Sequence, residues 1–318
     1  MRQDTERGRV VVITGASSGI GRATAIACAG RGDRLVLAAR APESQLAAEA
    51  DCRARGAEAL IVPTDVADPD AVEKLLTAAA EHFGRVDAVV HSVTVIAYGR
   101  FTDVPAPVFD QIIAVTLTGA ANVARTALRT FQAQGGGNLV VVGSLLGKIA
   151  VPYLSPYVTA KWGLHGLVRT LQVEARETPG IGISLVSPGG VDTPVYSQAA
   201  TYLNRDGRPP PPVDPPEKVA RAVLRALDRS RRETSVGVAN PVIILGFRIL
   251  PAVYDRLVAP LMRAGALSKE HVPPNDGNVF DPQPAGDAVH GRWGRHWLRP
   301  AGAAGAAAIL AGLSRARR

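Results

Sequence analysis

Thr14-Gly15-Ala16-Ser17-Ser18-Gly19-Ile20-Gly21 is the stretch that decides the fold. It follows a short β-branched run at residues 9–14 and precedes a stretch of small residues at 19–30 that is typical of a helix. Glycine lets the backbone turn tightly and approach a pyrophosphate, and the following helix presents its positive N-terminus to that group. A glycine-rich turn between a first strand and a first helix therefore predicts a nucleotide-binding βαβ unit.

Apolar runs alternate with amphipathic stretches on both sides of this turn and onward to about residue 240. Continuous Val, Ile and Leu strands between helices are typical of a parallel sheet that is buried on both faces. We predict an α/β fold with a doubly wound parallel sheet of the Rossmann type, in a single domain with a C-terminal extension. Its further strands are predicted at residues 34–39, 58–62, 86–90, 138–142, 181–187 and 234–238.

The composition and charge patterning divide the chain into four parts. Six of the nine residues from Arg208 to Pro216 are prolines, which favours an extended, helix-free segment near the end of the domain. Apolar residues at helical spacing between Leu245 and Met262 predict an amphipathic helix that either packs on the domain or acts as a lid or membrane-surface helix. From Val272 onward Pro, Gly and Asn dominate, as in an extended tail. The predicted parts are an N-terminal arm (1–8), the domain (9–240), a helical extension (241–270) and a tail (271–318).

The overall composition is that of a soluble globular protein, with 47% hydrophobic and 20% charged residues among 318. The net charge is +8, and half of it lies in the last 38 residues. No helix-turn-helix, zinc-finger or RNA-binding motif is present, so we expect no nucleic-acid partner. Cys28 and Cys52 fall on separate predicted helices and are expected to be reduced core residues.

The two ends of the chain bear on localisation. The N-terminus is polar, without the apolar core of a secretory signal, and no stretch reaches the roughly 18 apolar residues of a spanning helix. We therefore expect a cytoplasmic protein. The apolar segment Ala301–Leu313 is flanked by Trp293, Trp297 and several arginines, which suits either peripheral membrane contact or a disordered basic tail.

The second predicted strand ends Ala38-Ala39-Arg40. A carboxylate that would bind the ribose hydroxyl of NAD is missing from this tip, whereas Arg40 can pair with a 2′-phosphate. We therefore expect NADP(H) in preference to NAD(H). The alternative is that Arg40 merely caps a surface loop.

A second constellation consists of Ser144, Tyr157 and Lys161. A tyrosine and a lysine four residues apart on a helix share one face, so both side chains can reach one ligand. Ser155 and Pro156 are predicted as the N-cap and first residue of that helix, so the helix dipole and Lys161 are expected to lower the pKa of Tyr157. A tyrosine tuned in this way can exchange a proton with an alcohol or carbonyl oxygen.

With the glycine turn, these residues resemble the short-chain dehydrogenase/reductase family over roughly residues 8–240. The resemblance implies that Ser144 orients a substrate carbonyl, that Tyr157 is the acid/base, and that Lys161 holds the nicotinamide ribose and tunes Tyr157. It also implies a homo-oligomer. Residues 246–257 resemble the longer, often membrane-associated members of the group. The implied cofactor contacts are the turn residues Gly15, Ser17, Ser18, Gly19, Ile20 and Gly21, the adenine contacts Asp65 and Val66, and the nicotinamide contacts Val191 and Thr193 in the loop that begins at Ser187-Pro188-Gly189.

Two departures from the family pattern stand out. The fourth strand ends His91-Ser92-Val93-Thr94 where the family has Asn-Asn-Ala-Gly, so Val93 and Thr94 are expected to crowd the cofactor ribose. We place His91 among the cofactor-binding residues, as a structural substitute for the first asparagine. Thr116 aligns with a further catalytic asparagine, and its shorter hydroxyl is expected to give slower turnover.

These observations predict an NADP(H)-dependent oxidoreductase that transfers hydride between nicotinamide and a secondary alcohol, ketone or aldehyde. The proline-rich region from Asp192 to Pro216 is expected to fold over the substrate. Tyr196, Tyr202 and the 245–262 helix offer apolar surface, which favours a lipophilic small molecule. Because fold does not fix function, a catalytically weak or silent nucleotide-binding scaffold remains the alternative.

Overall fold

The computed structural model describes residues 8–294 of the chain. Strands and helices alternate along the first 240 residues, and two further helices and a strand follow. In chain order the elements are β1 (Val10–Thr14), α1 (Gly19–Ala29), β2 (Arg34–Ala39), α2 (Pro42–Arg53), β3 (Ala59–Pro63), α3 (Pro69–Phe83), β4 (Ala88–His91), β5 (Ala97–Tyr98), α4 (Ala106–Ile113), α5 (Gly119–Gln134), β6 (Gly137–Val142), α6 (Ser155–Glu174), β7 (Ile181–Pro188), β8 (Ala200–Thr201), β9 (Arg205–Gly207), α7 (Pro216–Asp228), β10 (Glu233–Val236), α8 (Asn240–Ile249), α9 (Pro251–Gly265) and β11 (Leu267–His271).

Seven of these strands form one parallel sheet, in the order β10-β7-β6-β4-β1-β2-β3. β1 lies between β2 and β4, so the chain winds outward from β1 in both directions. The order of the strands reverses there, which opens a crevice at the carboxyl ends of β1 and β4 where open α/β sheets bind ligands. The predicted doubly wound Rossmann-type fold is confirmed.

Helices cover both faces of the sheet because its strands are apolar throughout. All five residues of β1 are buried, and its side chains alternate between two core layers. One layer is packed by α3, α5 and α6, and the other by α1, α2 and α7. Cys28 and Cys52 lie in the second layer as free thiols whose pKa burial raises to about 12 and about 11, respectively.

The single helix predicted at residues 245–262 is instead two helices, α8 and α9. Leu250 separates them with φ −126° and ψ 54°, and Pro251 begins α9. The proline ring disfavours the helical conformation in the residue before it, so the chain bends there. The bend folds α9 back toward the domain, and β11 then pairs antiparallel with β9.

The first part of the predicted extended tail packs on the domain. Residues 275–291 contain only one short 3₁₀ turn, Pro284–Gly286, yet Val279 in this segment is fully buried in the main core. The apolar segment Ala301–Leu313 and most of the N-terminal arm lie outside the described residues. Within residues 8–294 none of the helices combines the length and apolar character needed to cross a bilayer.

Candidate active site

In the turn between β1 and α1, the glycine positions leave no room for side chains. Gly15 and Gly19 have φ of +76° and +52°, a region that favours glycine. A Cβ at Gly21 would lie 2.0 Å from the carbonyl oxygen of Gly15, so α1 starts in close contact with the strand that precedes it. This tight turn forms a cradle of backbone amides at a helix N-terminus that fits the pyrophosphate of a nicotinamide dinucleotide.

A cavity of about 740 Å³ extends from this turn, along the carboxyl edge of the sheet, to α9. It is large enough for a small-molecule ligand. Fourteen of the predicted site residues line it: Gly15, Ser17, Ser18, Gly19, Ile20, Gly21, Arg40, Asp65, Val66, Ser144, Tyr157, Lys161, Val191 and Thr193. Among the described residues, no group of three or more His, Cys, Asp or Glu side chains could hold a metal ion.

Ser144, Tyr157 and Lys161 meet on one wall of the cavity. Ser144 follows β6 and its hydroxyl accepts a hydrogen bond from the amide of Leu146 across 3.1 Å, which caps the turn at Leu145–Gly147. Lys161 is buried, donates to the carbonyl of Val142 across 3.2 Å, and places its Nζ 5.6 Å from the centre of the Tyr157 ring. The end of β6 and the first turns of α6 thereby bring together three of the four predicted catalytic residues.

The start of α6 differs slightly from the prediction. Leu154 is the N-cap, and Ser155 is the first helical residue rather than the cap. The Ser155 hydroxyl is buried and has no hydrogen-bond partner. The capping contribution of Ser155 to the first turn of α6 is therefore missing.

The pKa of Tyr157 is raised, not lowered as the sequence predicted. Burial raises it to about 12, against a smaller opposing effect of a hydrogen bond with Ser144. Burial also lowers the pKa of Lys161 to about 7. A lysine that is only partly protonated at neutral pH does not hold the full positive charge on which the prediction relied. The pair therefore favours a neutral tyrosine, which can donate a proton.

His91 and Thr116 lie beneath the cavity wall and do not line it, in contrast to the other predicted site residues. His91 is 1% exposed, and its Nδ1 is 2.9 Å from the hydroxyl of Thr14 on the neighbouring strand. Burial lowers its pKa to about 3, so it is neutral and joins β4 to β1. The cavity lining begins at the next residue, Ser92.

Thr116 is fully buried in a π-helical turn, Ala114–Thr118, that connects α4 and α5. Its hydroxyl is 3.2 Å from that of Thr94, which does line the cavity. Thr94, which was expected to crowd the cofactor ribose, is therefore paired with Thr116, which was expected to replace the family's catalytic asparagine. Both departures from the family pattern meet in one contact.

His165 is a residue of this site that was not predicted from the sequence. It lies four residues after Lys161 and eight after Tyr157, so the three share one face of α6. The backbone amide of Ser144 donates to its Nε2 across 3.4 Å. A Cβ at Gly147 would lie 2.3 Å from its ring, so the ring occupies space next to the Ser144 turn that a side chain would need. The i, i+4, i+8 spacing was the signal that could have revealed it.

Arg40 lies at the end of β2, as predicted, and faces the cavity. Its guanidinium donates to the backbone carbonyl oxygens of Asn278 and Phe280, each across 2.8 Å. Arg40 thus has a contact that the sequence did not indicate, with a segment some 240 residues away.

Comparison with known proteins agrees with this architecture. The family model for short chain dehydrogenases matches residues 9–202. The oxidoreductase YxnA of Bacillus subtilis is 30% identical over 92% of this chain and 83% of its own length. The cis-4-hydroxycyclohexanecarboxylate dehydrogenase of Sinomonas cyclohexanicum is 35% identical over 68% of this chain and 87% of its own length.

A solved structure with the same fold is an alcohol dehydrogenase from the archaeon Thermococcus sibiricus complexed with 5-hydroxy-NADP. It is 30% identical, with a TM-score of 0.63 over 72% of this chain and 95% of that one. About a quarter of this chain therefore lies outside that match. The family match, the relatives and the fold together show that the chain belongs to the short-chain dehydrogenase family of oxidoreductases.

Proposed function

We propose that this protein is an NADP(H)-dependent oxidoreductase that interconverts a secondary alcohol with a ketone, or a primary alcohol with an aldehyde. The observation that carries the proposal is the placement of Ser144, Tyr157 and Lys161 on one wall of the cavity that starts at the glycine turn. A nicotinamide cofactor bound along that turn supplies or accepts the hydride. The remaining chemistry is the movement of a proton at the substrate oxygen.

Tyr157 performs that proton transfer. With a pKa raised to about 12 by burial, its hydroxyl is protonated at neutral pH and can donate to the oxygen of a carbonyl as reduction proceeds. Ser144 lines the same cavity, and its hydroxyl, which hydrogen-bonds with Tyr157, orients the carbonyl by a second hydrogen bond. Lys161, whose pKa burial lowers to about 7, changes charge near neutral pH and can pass a proton toward Tyr157.

The choice of NADP(H) over NAD(H) rests on the end of β2. Arg40 is the basic side chain there, and Ala38 and Ala39 before it bring no carboxylate to repel a 2′-phosphate. An arginine–phosphate pair is a strong, charge-assisted contact. That the Thermococcus sibiricus relative was solved with 5-hydroxy-NADP supports the same choice.

The substrate side of the cavity is apolar. Beyond Tyr157 it is bounded by Leu154, Val195, Val258 and Met262, which belong to one apolar cluster. Leu250, Val253, Leu257 and Leu261 also line it, although each is at least half exposed, so they form an apolar rim at its mouth. Burying such a rim against a ligand is favourable by roughly 25 cal/mol per Å². We therefore propose a lipophilic alcohol or carbonyl compound as the substrate.

The test is the variant Tyr157→Phe, assayed with NADPH against a panel of lipophilic ketones and aldehydes. Loss of the hydroxyl should lower the turnover rate at least about a hundredfold. The affinity for NADPH should stay within about twofold of the wild-type value. Phenylalanine fills the same space, so the fold should be kept. If the variant reduced carbonyl compounds at the wild-type rate, the proposed role of Tyr157 would be wrong. If the wild-type protein bound NADPH tightly but reduced no compound, the scaffold alternative would be favoured.

A further inference from the structure

Residues 275–291, which we call the strap, cross the mouth of the cavity. Asn275 and Thr201 exchange two backbone hydrogen bonds of 2.9 and 3.0 Å where the strap begins. The strap then passes Arg40, and it returns to the nicotinamide end, where the amide of Gly291 donates to the carbonyl of Asp192 across 3.3 Å. It therefore spans the entrance from one end of the predicted cofactor site to the other.

Gln198 is the main attachment point of the strap. Its side chain is only 5% exposed, and its amide nitrogen donates to the Gln283 carbonyl at 3.1 Å and to Asp287 Oδ1 at 2.9 Å. Its amide oxygen accepts from Nδ2 of Asn278 across 3.2 Å. Both polar atoms of this buried glutamine side chain are thus bonded to the strap, which makes it a positioning residue for that segment.

The strap contacts the same groups that are expected to hold the cofactor phosphates. Arg40 donates to two strap carbonyls, and the amide of Gly19 in the glycine turn donates to the carbonyl of Ala288 across 2.8 Å. Asn278, Gln283 and Asp287 line the same cavity as the glycine turn. A dinucleotide phosphate that reaches Arg40 or the Gly19 amide must therefore displace this part of the strap from them.

The strap is firmly seated at one point and is held elsewhere by hydrogen bonds and by a 2.7 Å contact between His290 Nε2 and Glu217 Oε1. Val279 is fully buried in the core, and a Cβ at Gly277 would lie 2.4 Å from the carbonyl oxygen of Gln198. From Phe280 to Ala288, by contrast, the side chains of Phe280, Asp281, Pro282, Gln283, Pro284 and Ala285 are exposed. This outer half has few apolar contacts, so it can open at a lower cost in free energy than the core around it.

We infer that the strap is a gate for the cofactor, and that Gln198 sets how long the gate stays closed. The inference rests on the proposed function, since it assumes that a nicotinamide dinucleotide binds along the glycine turn. Phosphate binding replaces the strap bonds to Arg40 and Gly19 but leaves the bonds to Gln198, so the strap can close over either bound dinucleotide and slow its release. Opening of such a segment, rather than chemistry, often limits turnover.

The experiment compares wild-type protein with Gln198→Ala by stopped-flow fluorescence, displacing bound NADPH and, separately, NADH. Gln198→Ala removes three hydrogen bonds to the strap, so release of both nucleotides should be about tenfold faster or more. Asp287→Ala removes one of these bonds from the strap side and should give a smaller increase. The matched control is Gln172→Ala, since Gln172 also ties two backbone carbonyls together but lies far from the cavity.

Hydrogen exchange measured without nucleotide supplies a readout that does not depend on binding. In Gln198→Ala the amides of residues 275–291 should exchange faster, while those of β1 and β4 stay unchanged. Unchanged release rates and unchanged exchange in both strap variants would overturn the gate, while NADPH binding by the wild-type protein would still support the proposed function. If neither nucleotide bound to the wild-type protein or to Gln198→Ala, the gate and the proposed function would both be wrong. Binding by Gln198→Ala alone would support a gate that is closed in the wild-type protein.

Discussion

The backbone amide of Ser144 donates a hydrogen bond to Nε2 of His165 across 3.4 Å. An imidazole nitrogen that accepts this bond carries no proton, so the proton of the neutral ring is on Nδ1. Burial lowers the pKa of His165 to about 4, which keeps the ring in that neutral form at physiological pH. His165 thus holds the turn of Ser144, the residue proposed to orient the substrate. It does so from α6, the helix that also carries Tyr157 and Lys161.

We therefore expect His165→Ala to lower kcat by about tenfold, because the Ser144 turn loses a hydrogen bond and the ring that fills the space beneath it. The affinity for NADPH should stay within about twofold. His165→Gln, whose amide oxygen can accept the same bond, should recover part of the loss. The control is His82→Ala, at an exposed histidine beside Glu58. Equal kcat values for His165→Ala and wild-type protein would show that the contact does not position Ser144.

Lys161 should make the stability of the fold depend on pH. Burial lowers its pKa from 10.5 to about 7, so between these values the unfolded chain binds a proton that the folded protein does not. The free energy of unfolding therefore rises with pH in this window, by at most about 1.4 kcal/mol per pH unit. Below pH 7 the folded protein bears the full cost of the buried charge.

Urea unfolding of wild-type protein and Lys161→Met at pH 7, 8 and 9 measures this effect. Methionine has a similar length and no charge, so the variant should lack the rise that Lys161 contributes. The stability of the wild-type protein relative to the variant should increase from pH 7 to pH 9. Parallel pH profiles would mean that Lys161 is not held with a lowered pKa.

Thr116 offers a direct test of the departure from the family pattern. If its hydroxyl replaces the amide of the family's asparagine, Thr116→Val should lower kcat several-fold without changing the affinity for NADPH, because valine keeps the shape and removes the hydroxyl. Thr116→Ser keeps the hydroxyl and should retain most of the activity. A Thr116→Val enzyme with wild-type kcat would show that the contact with Thr94 serves packing alone.

Arg40 should govern the ratio of the two cofactor affinities. Arg40→Met removes the proposed partner of the 2′-phosphate and should reduce the preference for NADPH over NADH by about tenfold or more. The ratio is informative because loss of the strap contacts affects both nucleotides alike. Arg55→Met is the control, at an exposed arginine in the turn after α2 that donates to the carbonyl of Asp51 in that helix. An unchanged ratio of the NADPH and NADH affinities would show that Arg40 contacts the strap but does not select for the 2′-phosphate.

The features that could be predicted from the sequence are those that depend on residues close together in the chain. The glycine turn between β1 and α1 and the Tyr157/Lys161 spacing depend on local geometry, so the sheet and most of the cavity wall could be predicted. The break at Leu250 was also local, since Pro251 marks it, but the apolar periodicity on either side concealed it. Burial of Tyr157 depends on the whole fold, and its effect on the pKa therefore had the opposite sign to the prediction.

The strap could not be predicted because its contacts are distant in sequence. Residues 275–291 have no helical or strand periodicity, and they are held by hydrogen bonds to Arg40 and Gln198, up to 240 residues away. Backbone carbonyls accept most of these bonds. Because every residue has a backbone carbonyl, such bonds cannot be predicted from the amino-acid types. The same limit applies to His91, whose partner Thr14 lies on a neighbouring strand 77 residues away.

We expect a nicotinamide dinucleotide to bind along the glycine turn, and NADPH to bind in preference to NADH. Titration of the purified protein with NADPH and, separately, with NADH, followed by nucleotide fluorescence, tests it most directly. Both nucleotides should bind saturably, with NADPH bound at least about tenfold more tightly because of its 2′-phosphate. Binding of neither nucleotide, by the wild-type protein or by Gln198→Ala, would contradict it.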